Sequence, residues 1–397
     1  MMHSTTAVPR SVWVLGFVSL LMDVSSEMIH SLLPLFMVGA LGASSTAVGL
    51  IEGVAEATAL ITKVFSGVLS DHFGRRKPLA LAGYALGALT KPVFALASSL
   101  GLVLAARLLD RVGKGVRGAP RDALIADVTP PAVRGAAFGL RQALDTVGAF
   151  LGPLIGTGLM LWWADDFRAV FWVAAVPGAL AVALLLVGVR EPDAPKQPGT
   201  TRPLQAANLR RLGAAYWRIV GIGTAFTLAR FSEAFLVLRA SGSGVPLAFV
   251  PLVMVAMNVL YAATAYPFGR LADRMSRDRL LALGLLVLIA ADLVLAVDGS
   301  PAAVFAGVAL WGVHMGITQG LLATLVADAA PADLRGTAFG FFNLVSGVAM
   351  LIASALAGVL WDKAGPAHTF YAGAAFCVAT LAALAWRPAP APQRPRE

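Results

Sequence analysis

Three stretches of the chain carry acidic and basic side chains at helical spacing inside otherwise apolar sequence. In "MDVSSEMIH", Asp23, Glu27 and His30 recur at i, i+4 and i+7, a spacing that puts them on one face of a helix. The charged residues of the other two stretches are Glu52, Glu56 and Lys63, and then Arg107, Asp110, Arg111, Lys114 and Arg121. Side chains of these types can pair with one another, bind a charged solute or carry protons.

The elements that must position these side chains are membrane helices. The chain is 58% hydrophobic and 13% charged, whereas soluble domains carry roughly 25% charged residues. Apolar runs of about 20 residues, the length that crosses a bilayer, recur along the whole chain. We predict an all-α membrane protein of about twelve helices, over 12–38, 46–70, 79–97, 100–126, 136–162, 168–189, 214–238, 246–268, 279–297, 301–328, 336–361 and 367–386.

Charges inside membrane helices are costly and usually functional. We therefore expect acids of the first two helices to face bases of the fourth around a wet cavity. A carboxylate holds its proton more tightly in an apolar cavity and less tightly beside a guanidinium, so moving an arginine would switch its proton affinity. The predicted proton-coupling residues are Asp23, Glu27, Glu52, Glu56 and Arg107, and the sequence does not rank the four acids. Ion pairs that only close the cytoplasmic gate are the alternative.

A wider set of polar and aromatic residues is predicted to bind substrate. It comprises Asp23, Glu27, His30, Arg107, Asp110, Arg111, Arg230, Glu233, Asn258, Trp311 and His314. Arg230 and Glu233 are three residues apart, which fits either an intrahelical pair or a clamp on the substrate.

Basic residues fall on one side of the predicted helices. Lysines and arginines cluster at 75–77, 134, 190–211, 270–279 and 335, and few lie in the alternate connections. Such residues mark cytoplasmic loops, so both termini are predicted to be cytoplasmic. The first apolar run is too long for a cleaved signal peptide. The Pro-rich, charged segment 190–213 is interpreted as a linker between the domains 1–189 and 214–397.

The two halves repeat one another. "ADVTPPAVRGAAFG" and "ADAAPADLRGTAFG" match at an offset of 201, which pairs Asp127 with Asp328. "GVLSDHFGRR" and "GRLADRMSRD" match at an offset of 202. Parallel repeats predict two six-helix bundles with a substrate site between them near the bilayer midplane.

The segment "GVLSDHFGRRKPL" resembles the loop signature between helices two and three of the major facilitator superfamily. The resemblance implies a twelve-helix secondary transporter and a gating role for this loop and its copy. The gating residues would be Gly67, Asp71, Gly74, Arg75, Arg76, Asp273 and Arg277. A loop that only sets topology would explain the arginines alone.

The fifth predicted helix resembles the signature of the antiporter branch, which includes drug exporters. The matching residues are Gly139, Gly148, Gly152, Pro153 and Gly156, and the resemblance implies a hinge. A packing face of small residues is the alternative. Arg107 stands where the family has its helix-four arginine, but Asp110 and Arg111 replace the usual Gln and Gly, which puts its usual proton role in question.

Enzyme chemistry is not indicated. "RVGKGVRG" lacks the Ser or Thr of a phosphate loop, no HExxH or GxSxG motif occurs, and we expect no catalytic residue, cofactor or metal. The net charge of +9 follows from topology, so no nucleic-acid partner is expected. The single cysteine, Cys377, cannot form an intrachain disulfide. The expected partners are a small-molecule substrate, protons and the lipid bilayer, and the protein is expected to be a monomer.

These features together predict a secondary active transporter in a bacterial cytoplasmic (inner) membrane. We expect proton-coupled efflux by antiport of a small organic solute such as a drug, metabolite or siderophore. A proton symporter that imports an anionic or zwitterionic solute or a metal chelate is the alternative within transport. A non-transporting membrane sensor on the same fold is the alternative outside it.

Overall fold

The computed structural model describes residues 8–73, 75–130, 133–190, 209, 211–272, 274–318, 320–331 and 334–385, the side chains of 67–73 excepted. The first six helices are α1 (Arg10–His30), α2 (Ser45–Phe73), α3 (Arg76–Leu96), α4 (Leu100–Val128), α5 (Arg134–Trp162) and α6 (Phe167–Gly188). The other six are α7 (Ala214–Ala229 and Ala234–Ser241), α8 (Leu252–Ala272), α9 (Arg277–Val297), α10 (Pro301–Thr318 and Leu321–Ala329), α11 (Arg335–Ala364) and α12 (Pro366–Ala385).

The predicted all-α fold is confirmed, since the described residues form helices and turns without a strand. Ten helical stretches among them are long and apolar enough to cross a membrane. The helices outside this set are α2 and α4, which carry the acidic and basic residues of the opening clusters. Their charges must therefore be satisfied by neighbouring helices rather than by lipid.

Two helices predicted as continuous are interrupted. In α7 the helical pattern stops at Ala229 and resumes at Ala234, which places Arg230 and Glu233 in the interruption. In α10 it stops at Thr318 and resumes at Leu321, with Gly320 at φ +74°. Membrane helices tolerate such breaks where neighbouring protein satisfies the freed backbone groups. The α1 helix instead continues past His30 through a short turn into a π-helical segment, Phe36–Ala40.

Close contacts between helices explain where several glycines lie. In α2, an added Cβ at Gly49 would lie 2.2 Å from the Ser354 carbonyl oxygen of α11. In α11, a Cβ at Gly358 would lie 2.5 Å from the Ser45 carbonyl oxygen. Helix α2 of the first half therefore packs directly on α11 of the second half.

The same contact is closed by a hydrogen-bonded cap. The Asp362 carboxylate near the end of α11 accepts hydrogen bonds from the backbone N–H of Ser45 at 3.0 Å and of Thr46 at 2.8 Å. It also accepts one from the Thr46 hydroxyl at 2.6 Å. An acid from one half thus caps the N-terminus of a helix in the other, where the helix dipole favours negative charge.

The predicted boundary between the two domains lies mostly outside the described residues, since 191–208 and 210 of the 190–213 segment are not described. The division at 189 and 214 stays a prediction.

Candidate functional site

A buried ion pair joins α2 and α4 at the centre of the first half. The Arg107 guanidinium donates to the Glu52 carboxylate at 2.6 Å, and both side chains are almost completely buried. An unpaired charge at this depth would cost several kcal/mol, of the order of 3–5 for breaking such a pair. The pair therefore fixes the distance between the two helices.

His30 of α1 lies between the charged side chains of α2 and α4. Its Nε2 is in contact with the Arg107 guanidinium and lies 3.2 Å from Arg111 Nη2. The same nitrogen lies 3.3 Å from a Glu52 carboxylate oxygen, and Nδ1 faces the Glu27 carboxylate at 3.6 Å. His30 is therefore a titratable group in contact with two arginines and two carboxylates, and a change in its protonation would alter the network.

Two further ion pairs complete the network. Arg111 donates to Glu56 at 3.0 Å, again from α4 to α2. The Lys91 ammonium of α3 donates to Asp110 at 2.8 Å and to the Ser26 hydroxyl at 3.0 Å. Lys91 was not among the predicted residues, although a lysine in the apolar run "GYALGALTKPVFALA" was a signal that could have identified it.

His30, Glu52 and Glu56 also offer three ligand atoms within 4.8 Å of one another, a spacing that suits a metal ion. Arg107 and Arg111 already donate to the two carboxylates. A cation in their midst would have to displace both guanidinium groups, so the donor set fits an ion-pair network better than a metal site.

A cavity of about 410 Å³ lies beside this network. Its charged lining residues are Asp23, Glu27, Glu56, Lys63, Lys114, Arg117, Arg121, Asp122 and Asp145, and its polar ones include Gln142, Thr146, Asn258 and Tyr261. The lining comes from α1, α2, α4 and α5 of the first half and from α8 of the second. The cavity is therefore the place where charged groups of the network meet the interface between the halves.

The four candidate acids differ in their partners. Glu52 and Glu56 are paired with arginines, and Glu27 faces His30. Asp23 lines the cavity and makes neither a hydrogen bond nor an ion pair through its carboxylate with any described residue. The structure thus distinguishes acids that the sequence could not rank, and Asp23 is the one free to bind a proton or a ligand.

Other predicted residues of the first half lie behind the cavity. Arg107, Asp110, Arg111, His30 and Glu52 belong to the buried network and are not part of the cavity lining. Their position suits them to hold the lining helices and to respond to charge, rather than to contact a solute directly.

The second half contributes less to the cavity than predicted. Asn258 lines it, and its side-chain amide donates to the Ala149 carbonyl of α5 at 3.3 Å. Trp311 is buried with its ring centroid 5.4 Å from that of Phe231, and buried His314 hydrogen bonds through Nδ1 to the Gly284 carbonyl at 2.8 Å. Neither Trp311 nor His314 lines the cavity.

Arg230 and Glu233 form no ion pair within the described part of the chain. The helix is interrupted between them, which removes the geometry of an intrahelical pair. The Arg230 guanidinium instead lies over the Phe226 ring, 5.7 Å from its centroid. The interpretation as an ordinary intrahelical pair is therefore wrong, and the clamp stays a prediction.

The predicted gating residues are only partly described. Gly74 and Asp273 lie outside the described residues, and Gly67 and Asp71 are described only as backbone within α2. Arg75 precedes α3 and is exposed. Arg76 pairs with Asp127 of α4 at 3.1 Å, and Arg277 pairs with Asp328 of α10. Each of these pairs joins two helices of one half.

The helix-five residues divide into two groups. A Cβ at Gly148 would lie 2.7 Å from the Leu20 carbonyl oxygen, and one at Gly152 would lie 2.7 Å from the Glu27 Cβ, so α5 packs tightly on α1 there. Gly156 is in ordinary contact with α1, and Gly139 has no neighbour within 4 Å. The helix runs on through Pro153 without interruption. This arrangement fits a packing face, and a hinge stays a prediction.

Comparison with known proteins agrees with the fold. The sequence profile of the Major Facilitator Superfamily matches residues 15–247 and 220–397. An uncharacterised MFS-type transporter of Methanocaldococcus jannaschii is 33% identical over 93% of this chain and 92% of its own length. The multidrug resistance protein MdtH of Photorhabdus laumondii is 32% identical over 45% of this chain and 44% of its own length.

A solved structure supports the same fold. The nucleoside transporter NupG superposes with a TM-score of 0.78 at 13% identity, over 94% of this chain and 98% of that one. With the profile match and the archaeal relative, this places the twelve-helix fold in a known class of membrane transporter. The chain belongs to the major facilitator superfamily.

Proposed function

We propose that the protein is a proton-coupled exporter, which exchanges external protons for a small organic solute across a bacterial cytoplasmic membrane by alternating access. One observation carries the proposal. Of the four acids available for proton coupling, Asp23 alone lacks a partner among the described residues, and it faces the cavity between the halves.

An unpaired acid in a shared cavity supports exchange because a proton and a cationic group of the solute would compete for it. A solute that binds deprotonated Asp23 must leave before a proton takes its place. Binding of one ligand at the expense of the other is the thermodynamic requirement for antiport. The neighbouring acids are less suited, since each already faces a basic partner.

The conformation is consistent with loading from the cytoplasm. The halves meet where Asp362 caps α2, whereas the cavity extends toward Lys63, Arg121 and Gln142. Positive charge in the connections predicts that this second side is cytoplasmic. The relatives named as multidrug resistance proteins support an export direction for part of the chain.

Symport is the second candidate, and the cavity gives it specific support. The cations Lys63, Lys114 and Arg117 line the cavity and form no ion pair with an acid that the structure describes. An anionic solute that bound them while Asp23 was protonated would move in the same direction as the proton.

The two candidates are separated by the direction of proton flow. The purified transporter would be reconstituted in liposomes that contain a pH-sensitive dye, and drugs, amino acids, siderophores and organic acids would be offered on each side. Antiport predicts proton movement opposite to the solute. Movement in the same direction would establish symport, and binding without any flux would indicate a sensor.

A further inference from the structure

Asp23 and Lys114 lie on different walls of one cavity. Asp23 is on α1 at its contact with α5, where a Cβ at Gly148 would approach the Asp23 Cβ to 2.9 Å. Lys114 is on α4, next to Gly115, whose contact with Thr62 and Ala59 brings α4 against α2. Two different pairs of packed helices therefore present an acid and a base to the same space.

Neighbouring charges of the cavity are already matched. Glu56 is paired with Arg111 and Glu27 faces His30. On the other side, Arg141 pairs with Asp145 at 3.0 Å, and Arg121 pairs with Asp122 at 3.0 Å. These groups have little charge left to offer a solute.

Asp23 and Lys114 are not matched. Both line the same cavity, yet neither forms an ion pair within the described residues. Lys114 is exposed in the cavity, while Lys63 and Arg117 add further unmatched positive charge beside it. A solute with a single charged group could pair with only one of the two residues, Asp23 or Lys114.

We propose that the transported solute is amphoteric, with an ammonium group that binds Asp23 and a carboxylate or similar anionic group that binds Lys114. This inference rests on the proposed function and names its substrate class. Charge-assisted hydrogen bonds at both ends would select against molecules that lack either group, because the unmatched wall would lose water without gaining a partner. The cavity of about 410 Å³ lies in the range of pockets that hold drug-sized molecules.

The two ends of the solute then have different roles. The proton competes only with the ammonium group, since both occupy Asp23. The bond between the anionic group and Lys114 keeps the solute in its binding orientation, and the proton does not displace this group. Lys114 therefore contributes to substrate selectivity, and Asp23 couples solute binding to the proton. Substitution of either residue should remove one of these properties separately.

The test uses molecules that differ only in charge. Ciprofloxacin carries a piperazine ammonium and a carboxylate, its methyl ester keeps only the ammonium, and N-acetylciprofloxacin keeps only the carboxylate. The dipeptide Phe-Ala, its amide and its N-acetyl form make a second set. Binding is measured calorimetrically on the full-length transporter in lipid nanodiscs. The amphoteric form of at least one set should bind about tenfold or more tightly than both of its derivatives.

Variants of Asp23 and Lys114 test which residue binds which end of the solute. Lys114→Gln should bring the binding of the amphoteric molecule down to that of its ester, and Asp23→Asn should bring it down to that of the N-acetyl form. Lys363→Gln, at an exposed lysine outside the cavity, should change neither. Lys114 is exposed in the cavity and forms no hydrogen bond or ion pair with a described residue, so its substitution should leave the melting temperature nearly unchanged and the result interpretable.

The inference is overturned if in both sets a singly charged derivative binds as tightly as its parent, or if no amphoteric form binds. Proton exchange driven equally well by a singly charged solute would overturn it too, while leaving the exporter intact. Absence of proton movement with every compound of the transport panel would instead overturn the proposed exporter.

Discussion

Arg76 of α3 lies 3.1 Å from Asp127 of α4, and 201 residues later Arg277 of α9 pairs with Asp328 of α10. The same ion pair thus occurs in both halves of the chain. The sequence repeat at offset 202 would have matched Arg277 with Arg75, but the ion pairs match it with Arg76. The repeat is therefore structural, and it ties neighbouring helices together at the same end of each half.

The two equivalent pairs should differ in strength. The Arg76 and Asp127 side chains are 14% and 17% exposed, and those of Arg277 and Asp328 are 36% and 59% exposed. Exposed ion pairs contribute about 0–1 kcal/mol. Arg277→Gln should therefore leave the melting temperature in detergent nearly unchanged, and Arg76→Gln should lower it clearly. Equal effects would contradict the assignment of different burial to the two pairs.

Each residue of the Lys91–Asp110 pair should depend strongly on the other for its effect on protein stability. Both side chains are almost fully buried and 2.8 Å apart. Removing one of them therefore leaves the other as an unpaired buried charge. Asp110→Asn or Lys91→Met alone should cost about 3–5 kcal/mol of stability. The double variant should recover much of this loss, as measured by thermal unfolding of the purified protein. A double variant no more stable than the singles would show that the pair is not what couples these positions.

The positions of the membrane helices along the chain were predictable from the sequence, whereas the contacts between helices were not. The spans 136–162 and 279–297 agree closely with α5 and α9, because a bilayer imposes a long apolar segment on every crossing. The acids and bases of α1, α2 and α4 were correctly expected to share one half. Hydropathy is a local property, and it carries this information without reference to packing.

Pairing across helices was not predictable in the same way. Spacing along one helix gives no distance to another, so it could not show that Asp110 meets Lys91 while Asp23 meets no described partner. The interruption between Ala229 and Ala234 was missed for a related reason. Neither a glycine nor a proline marks it in the sequence, and only tertiary contacts can stabilise such a break.

The Asp362 cap should influence the equilibrium between two conformations of the transporter. In one, the two halves are in contact at the cap, and in the other they are open on this side of the membrane. Asp362→Ala removes the cap on α2, and loss of an N-cap costs about 1 kcal/mol, within a range of roughly 0.5–2. The open state on this side should become about fivefold more populated. Distances between spin labels at Ser98 and Gly299 would measure the change, and the single native cysteine is buried.

The matched control for this variant is Asp166→Ala. Asp166 caps α6 by accepting from the backbone N–H of Arg168 and Ala169, within one half. Its loss should weaken a helix terminus without changing the distance between halves. An equal shift in both variants would mean that the Asp362 cap does not hold the halves together.

Gly148 and Gly139 should respond to alanine with opposite signs. A Cβ at Gly148 would meet the Leu20 carbonyl oxygen at 2.7 Å, and Gly139 is open. Gly148→Ala should therefore push α1 from α5 and cost about 1–3 kcal/mol. Gly139→Ala should stabilise the protein by about 0.5–1 kcal/mol through helix propensity. Thermal unfolding of both variants checks the pair, and destabilisation by Gly139→Ala would indicate that this glycine is needed for bending.

Competition between a proton and the solute for Asp23 is the central step of the proposed exchange. The most direct test is to measure proton release when an amphoteric solute binds to the purified transporter, in weakly buffered solution that contains a pH indicator. The wild-type protein should release protons on binding, and the Asp23→Asn variant should release none, while Asp278→Asn should behave as the wild type. Proton uptake on binding, or release that persists in Asp23→Asn, would contradict the exchange mechanism.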